Sequence, residues 1–313
     1  MNPENYSTIS FPSLGFSWDP ARSISIGPLT INFYGLIIAV GLMLAVIYGC
    51  KRAKQFGMSV DDLTDGVLVI VPFAIICARL YYCIFSWEDY ADDPISILYI
   101  WKGGLAIYGG VIGAAIGIVV FSLVKKIKVG AVLDITSLGF LIGQSIGRWG
   151  NFFNREAFGA ETDSFLRMGL THKITGEITY FHPTFLYESV WNALGFVLLH
   201  FLSKKRKFDG QIALGYLAWY GLGRTFIEGL RLDSLYWGSF RVSQLLAAVT
   251  CFVGVALLMV SAFREHDPAN LQANIYEAKL AALDAAQQED AAEAAVQEED
   301  AAEEAVQEEE NHE

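Results

Sequence analysis

What most constrains this chain is a succession of apolar runs, each long enough to cross a lipid bilayer. A helix needs about 20 mostly apolar residues to span the hydrocarbon core. Such runs lie near 31–50, 64–86, 104–124, 131–148, 184–202, 211–230 and 243–263. Hydrophobic residues make up 53% of the 313 and charged ones only 18%, outside the range of soluble domains. The expectation is an all-α integral membrane protein with seven transmembrane helices.

Lysine and arginine in short loops mark the cytoplasmic side. Lys51, Arg52 and Lys54 follow the first span, Lys125, Lys126 and Lys128 the third, and Lys204, Lys205, Arg206 and Lys207 the fifth. The loop after the second span is acidic instead, with Glu88, Asp89, Asp92 and Asp93. This alternation predicts an N-terminus outside, a cytoplasmic C-terminus, and a small extracytoplasmic head between spans four and five. The first 30 residues lack the basic, apolar and small-residue series of a secretory signal, so no cleaved leader is expected.

The net charge of −12 misdescribes the membrane part. From His266 onward there are fifteen acidic residues against Lys279 alone, which leaves residues 1–265 at +2. The segment Glu289–Glu298 recurs almost unchanged as Glu299–Glu308. Ala/Glu repeats favour helix locally but offer no apolar face, and their like charges repel. Two units follow: a membrane domain at 1–265, and at 266–313 an acidic, repetitive, largely disordered cytoplasmic tail.

Cys50, Cys77, Cys83 and Cys251 fall in or beside the spans without metal or redox spacing, so each reads as a small packing residue. No metal site and no affinity for nucleic acid is visible.

Ionised side chains inside a membrane are costly and read first as function. In the sixth span Tyr220, Arg224, Glu228 and Arg231 project at roughly 0°, 40°, 80° and 20° around a helix, one narrow stripe. An Arg224–Glu228 pair could merely lock packing, yet two arginines against one glutamate leave positive charge over. In the fourth span Gln144, Arg148 and Asn151 likewise share a face. There the run from Gly147 to Gly159 adds Asn154, Glu156 and glycines at 150 and 159 that permit close backbone approach. The combination suits a phosphate headgroup.

His182-Pro183 opens the fifth span, with Tyr187 and then Glu188 one to two turns deeper, where a carboxylate needs a partner. Gly103, Gly104, Gly109, Gly110, Gly113 and Gly117 make the third span a close-packing helix, with Tyr108 among them as a site candidate. Arg79 and Tyr34 complete the polar set, Arg79 being as compatible with structural pairing as with a site role. The pentapeptide Gly143-Gln144-Ser145-Ile146-Gly147 matches a nucleophile elbow, but lies within an apolar helix rather than a strand-to-helix turn.

These runs resemble the prolipoprotein diacylglyceryl transferase family: Gly147 to Gly159, His182-Pro183 through Tyr187-Glu188, Gly103 to Gly110, and Tyr220 through Arg224 to Glu228. The likeness extends from about Tyr34 to about Gln244. It implies a multi-pass enzyme of the bacterial plasma membrane that moves a diacylglyceryl group from phosphatidylglycerol to the lipobox cysteine of a prolipoprotein, leaving glycerol phosphate. By that resemblance Arg148 contacts the phospholipid, Arg224 serves catalysis, and Asn151, Glu156, Glu228, Tyr34 and Tyr220 matter for activity, while Gly159 stays a phospholipid-binding candidate through the close approach that it permits. Many relatives carry a histidine, proposed as a base, where this chain has Tyr108.

A tyrosine with a reference pKa near 10 is less than about 1% ionised at neutrality, so Tyr108 suits positioning better than proton abstraction. Arginines could instead favour a cysteine thiolate and steady the departing phosphate. No metal or organic cofactor is expected, because the substrate brings its own leaving group. Three rivals stand beside this reading: an intramembrane serine hydrolase using Ser145 and His182, an anion transporter lined by the buried arginines, and a purely structural membrane protein, which leaves the unbalanced arginines unexplained. No internal repeat of the transporter kind is apparent.

Overall fold

The computed structural model describes residues 3–27, 29–232, 236–237 and 240–310. Eight long helices carry them: α1 (Phe33–Arg52), α2 (Val60–Phe85), α3 (Ile107–Lys125), α4 (Val129–Asn154), α5 (Thr184–Ser203), α6 (Gln211–Leu230), α7 (Val242–Ala262) and α8 (Gln272–Glu310). Six of them, α1 to α5 and α7, are long and apolar enough to cross a membrane. Their outward faces expose large apolar side chains such as Leu68, Ile84, Val124, Phe201 and Phe252, a surface suited to hydrocarbon and not to water. The sixth expected span is the 20-residue α6, whose glycines, tyrosines, Arg224 and Glu228 keep it outside that set of six. Composition alone therefore supports six spans, not seven.

The chain is mostly helical rather than all-α. Strands β1 (Tyr6–Phe11), β2 (Phe16–Trp18), β3 (Ser23–Ile26) and β4 (Leu29–Asn32) precede α1. Strands β5 (Met168–His172) and β6 (Ile178–Phe181) lie between α4 and α5, and β7 (Tyr236–Trp237) and β8 (Phe240–Arg241) precede α7. An antiparallel sheet of order β2-β1-β5-β6 joins the N-terminal segment to the α4–α5 connection. The head thus has two sources where the sequence suggests one, because pairing between distant short strands leaves no local periodicity to read. Its core gathers Ile9, Phe11, Phe152, Phe158, Met168, Leu170, Phe181 and Phe185. Arg155, just past α4, ties the layers together by donating to the carbonyls of Ser7 and Pro20 and to the Asp19 carboxylate.

The helices pack pairwise, α2 on α3, α1 on α4 and α6 on α7. At Gly113 a Cβ would lie 2.6 Å from that of Cys77, so only glycine lets α3 approach α2 this closely. Asp134 of α4 caps α6, accepting from the N–H groups of Gly210, Ile212 and Ala213 at 2.9 Å each. That bond set fixes α6 beside α4.

At the end opposite the head, Gln272 fastens three connections. Its N–H donates to Asp209 Oδ2 at 2.8 Å, its Oε1 accepts from the Lys128 N–H at 3.2 Å, and its Nε2 donates to the Gly57 carbonyl at 3.2 Å. Beyond this root α8 is exposed over the stretch whose side chains are described. Within the tail, Gln272–Glu310 is helical, in keeping with the local preference of Ala and Glu.

Candidate active site: three arginines around one carboxylate

Glu188, on α5 one turn beyond its start, is the centre of the polar interior, with its side chain only 4% exposed. Its Oε2 lies 2.6 Å from Arg148 Nη2 of α4, and its Oε1 lies 2.7 Å from Arg224 Nη1 of α6 and 3.6 Å from Arg231 Nη1. Arg224 also reaches Glu228 Oε2 with Nη2 at 2.6 Å. A carboxylate buried this deeply is tolerable only when paired, and guanidinium supplies the matching planar donors. Two helices, α4 and α6 with its C-terminal cap, thus aim three cations at one point.

Neighbouring contacts set that geometry. Trp191 and Trp219 stack with centroids 4.4 Å apart, and each indole N–H donates to the other's carbonyl at 2.9 Å, which locks α5 to α6. A Cβ on Gly223 would sit 2.1 Å from Trp191 Nε1, so this clasp requires glycine there. Gln144 Nε2 donates to the Tyr216 hydroxyl at 2.9 Å, and the Tyr216 ring stacks on Tyr220. Tyr220, Glu188, Trp191, Asn192 and Arg224 line a small cavity beside the arginines. From the end of β8, just before α7, Arg241 Nη1 donates to the Glu228 carbonyl at 2.8 Å.

The other sequence candidates divide. Asn151 lies beside Arg148, Oδ1 to Nη1 at 3.5 Å, and its Nδ2 donates to Glu156 Oε1 at 2.9 Å, as does that of Asn154 at 3.2 Å. Glu156 therefore braces the turn that carries Asn151. Gly159 is an anchoring point: a Cβ there would come within 2.8 Å of His182 Cβ and of the Leu230 carbonyl oxygen. Its N–H donates to the His182 carbonyl at 2.9 Å, and it pairs as an antiparallel bridge with Arg231. Gly159 so places Arg231 near Glu188. Tyr34 lays its ring on Gly150.

His182 and Tyr187 pair with each other, Nδ1 to hydroxyl at 3.3 Å, and make no bond to the arginines among the described residues. Arg79 donates to the carbonyls of Ser96, Ile97, Gly103 and Gly104 at 2.7–2.9 Å, pinning the loop that leads into α3. Tyr108, near the start of that helix, is 46% exposed and has no hydrogen bond to the cluster among the described residues. Ser145 Oγ donates to the Ser189 carbonyl at 2.9 Å, a contact between α4 and α5, while His182 is engaged with Tyr187. The elbow-like pentapeptide is interior helix.

Sequence reasoning did not single out Asn192, Trp191, Trp219, Arg155, Asp134 or Arg241. Their signal is slight: a lone polar or aromatic residue in an apolar helix gains meaning only when its neighbour across the interface is known.

Residues 22–260 match the family model described as prolipoprotein diacylglyceryl transferase. The chain belongs to this family. Members named phosphatidylglycerol–prolipoprotein diacylglyceryl transferase include one from Listeria welshimeri, 40% identical over 256 residues that cover 80% of this chain and 92% of the relative. One from Halalkalibacterium halodurans is 42% identical over 242 residues, covering 75% and 83%. One from Enterococcus faecalis is 45% identical over 241 residues, covering 74% and 87%. The family match takes in the whole arginine cluster and ends before Gln272, so it includes the three partners of the clasp at the root of α8 but not Gln272 itself.

Proposed function

We propose that the arginine cluster is the centre at which this transferase moves the diacylglyceryl group of phosphatidylglycerol onto the cysteine thiol of a prolipoprotein, the first step of lipoprotein maturation. One observation carries the reading: Arg148 and Arg224, from different helices, converge on a single buried anion, Glu188. A site that concentrates guanidinium groups at one point suits a phosphodiester, whose oxygens take the same planar donors as a carboxylate.

The chemistry is a displacement. The cysteine sulfur forms a bond to the glyceryl carbon as that carbon's bond to the phosphate oxygen breaks, and the electron pair leaves with the phosphate. The thiol proton passes to water, so thioether, glycerol phosphate and a proton account for every atom. A thiol of reference pKa about 8.5 is only a few per cent ionised at neutrality, and nearby positive charge raises that fraction. The same charge stabilises the leaving phosphate more strongly as the bond breaks, which lowers the barrier rather than merely tightening binding.

Arg148 holds the lipid phosphate, Arg224 takes the leaving-group charge, and Glu228 orients Arg224 with Tyr220 beside it. Asn151, Glu156 and Tyr34 shape the headgroup side, and Gly159, His182, Tyr187, Arg79 and Arg231 support it. Tyr108 has a positioning role. The acceptor peptide presents its lipobox cysteine from within the bilayer.

The same reading sets seven spans, including α6, in a bacterial plasma membrane, with the head outside and the basic loops and α8 in the cytoplasm. Residues 1–265 are the transferase and 266–313 an appended acidic tail.

The test is direct. Purified protein is incubated with phosphatidylglycerol vesicles and a lipobox peptide, and the peptide is weighed by mass spectrometry. The mass of one diacylglyceryl group should be gained by the cysteine peptide and not by its serine counterpart. An unchanged cysteine peptide would end the proposal.

A further inference from the structure

We infer that Asn192 is a specificity-determining residue of this site, its side-chain oxygen accepting a hydroxyl of the lipid headgroup. The inference rests on the transfer reaction proposed above.

Asn192 lies one turn beyond Glu188 on α5 and is 1% exposed. Its Oδ1 is buried with no hydrogen-bond partner among the described residues. Leaving an amide oxygen unsatisfied in the interior forfeits its hydration with nothing in return, so such atoms are rare where nothing comes to meet them. Asn192 lines a small cavity together with Glu188, Tyr220 and Arg224. The space beside it admits about one water-sized group, which is also the size of a hydroxyl.

The chemistry of the surroundings says which group is wanted. A carbonyl oxygen only accepts, so the visitor must donate. The charged groups nearby do not serve: Glu188 and Glu228 are themselves acceptors, and Arg148, Arg224 and Arg231 are aimed at Glu188. Arg224, one of the two arginines proposed to hold the phosphodiester, lines the same cavity, so a headgroup attached to that phosphate is the donor we assign to it. In phosphatidylglycerol that headgroup is a glycerol bearing two free hydroxyls, each a donor. A site built to bond a hydroxyl discriminates strongly against an analogue lacking it, because the site's own polar atom is then left bare.

The test compares phosphatidylglycerol with phosphatidylmethanol, which has the same phosphodiester charge and acyl chains but no headgroup hydroxyl. Both leave as alkyl phosphates, so their intrinsic reactivity is nearly equal. Wild-type protein should favour phosphatidylglycerol in kcat/KM by about ten- to a hundredfold, the worth of one buried hydrogen bond. Asn192→Leu, close in volume but without the acceptor, should lower kcat/KM for phosphatidylglycerol to the phosphatidylmethanol level and leave the latter within about twofold. Asn192→Ser, which keeps a small acceptor, should retain part of the preference.

Wild-type protein indifferent to the missing hydroxyl would overturn the inference, whatever the variants do. So would an Asn192→Leu protein that melts like wild type and keeps the full preference. Absence of any transfer from phosphatidylglycerol by wild-type protein is a different failure, that of the proposed function itself.

Discussion

Arg148 Nη2 and Glu188 Oε2 lie 2.6 Å apart, joining α4 to α5 through a carboxylate that also holds Arg224 of α6. Glu188 thereby occupies the place where arginine donors converge, and any arriving phosphate competes with it. The competition bears on product more than on substrate. A phosphodiester carries one negative charge, whereas a phosphomonoester with its second pKa near 6 carries nearly two at neutrality.

Glu188→Gln keeps the shape and removes the charge, so a dianion should gain more than a monoanion. The inhibition constant of glycerol phosphate is expected to fall about tenfold while KM for phosphatidylglycerol changes much less. Parallel changes in both would assign Glu188 a purely structural part.

Arg224→Lys retains a positive charge but cannot hold Glu188 and Glu228 with one planar fork, as Arg224 does at 2.7 and 2.6 Å. Turnover should drop about a hundredfold or more, the scale of losing one transition-state donor. Peptide mass spectrometry over a time course measures it, and equal rates would remove Arg224 from the mechanism.

Tyr108 is 46% exposed on α3, and Tyr108→Phe deletes only its hydroxyl. Less than about tenfold loss of activity is expected for a positioning role, since general-base removal costs about a hundredfold or more. Complete loss in Tyr108→Phe, rescued by Tyr108→His, would instead assign a proton-accepting group to this position.

Gly223→Ala tests whether the indole clasp positions the cluster. The added Cβ would stand 2.1 Å from Trp191 Nε1, and a rigid ring bonded to the Trp219 carbonyl has nowhere to retreat. Overpacking of this kind costs about 1–3 kcal/mol, so a lower melting temperature in detergent should accompany lower kcat. An unchanged melt with unchanged kcat would mean that α5 and α6 are not held by this contact.

Asp209, between α5 and α6, gives a pH signature. Burial pushes its carboxyl above the ordinary range, against the lowering effects of the Gln272 N–H and the charges of Arg206 and Lys128. A raised acid binds its proton more tightly folded than unfolded, so its contribution to stability is fully present below the unfolded value near 3.9 and lost as pH rises through the folded value. Asp209→Asn should flatten the decline in melting temperature across that window. A curve parallel to wild type would exclude Asp209 as its source.

Much of this protein is legible in one dimension. Runs of apolar residues, basic loops after the first, third and fifth spans, and stripes such as Gln144, Arg148 and Asn151 depend on local chemistry and helical period alone. The 3.6-residue repeat likewise brings Arg224 and Glu228 together, because i,i+4 neighbours on one helix meet whatever surrounds them.

Only the tertiary structure decided what lies across the interfaces. That Glu188 faces Arg148, Arg224 and Arg231, that Trp191 clasps Trp219, and that β1 pairs with β5 follow from contacts between segments distant along the chain. Asn192 is the clearest case. In sequence it is one polar residue in an apolar helix, and only the packed molecule leaves its oxygen buried and bare on a residue that lines the cavity beside Arg224. A residue's own type sets which bonds it can make, but its partners are set by the packing of the whole chain.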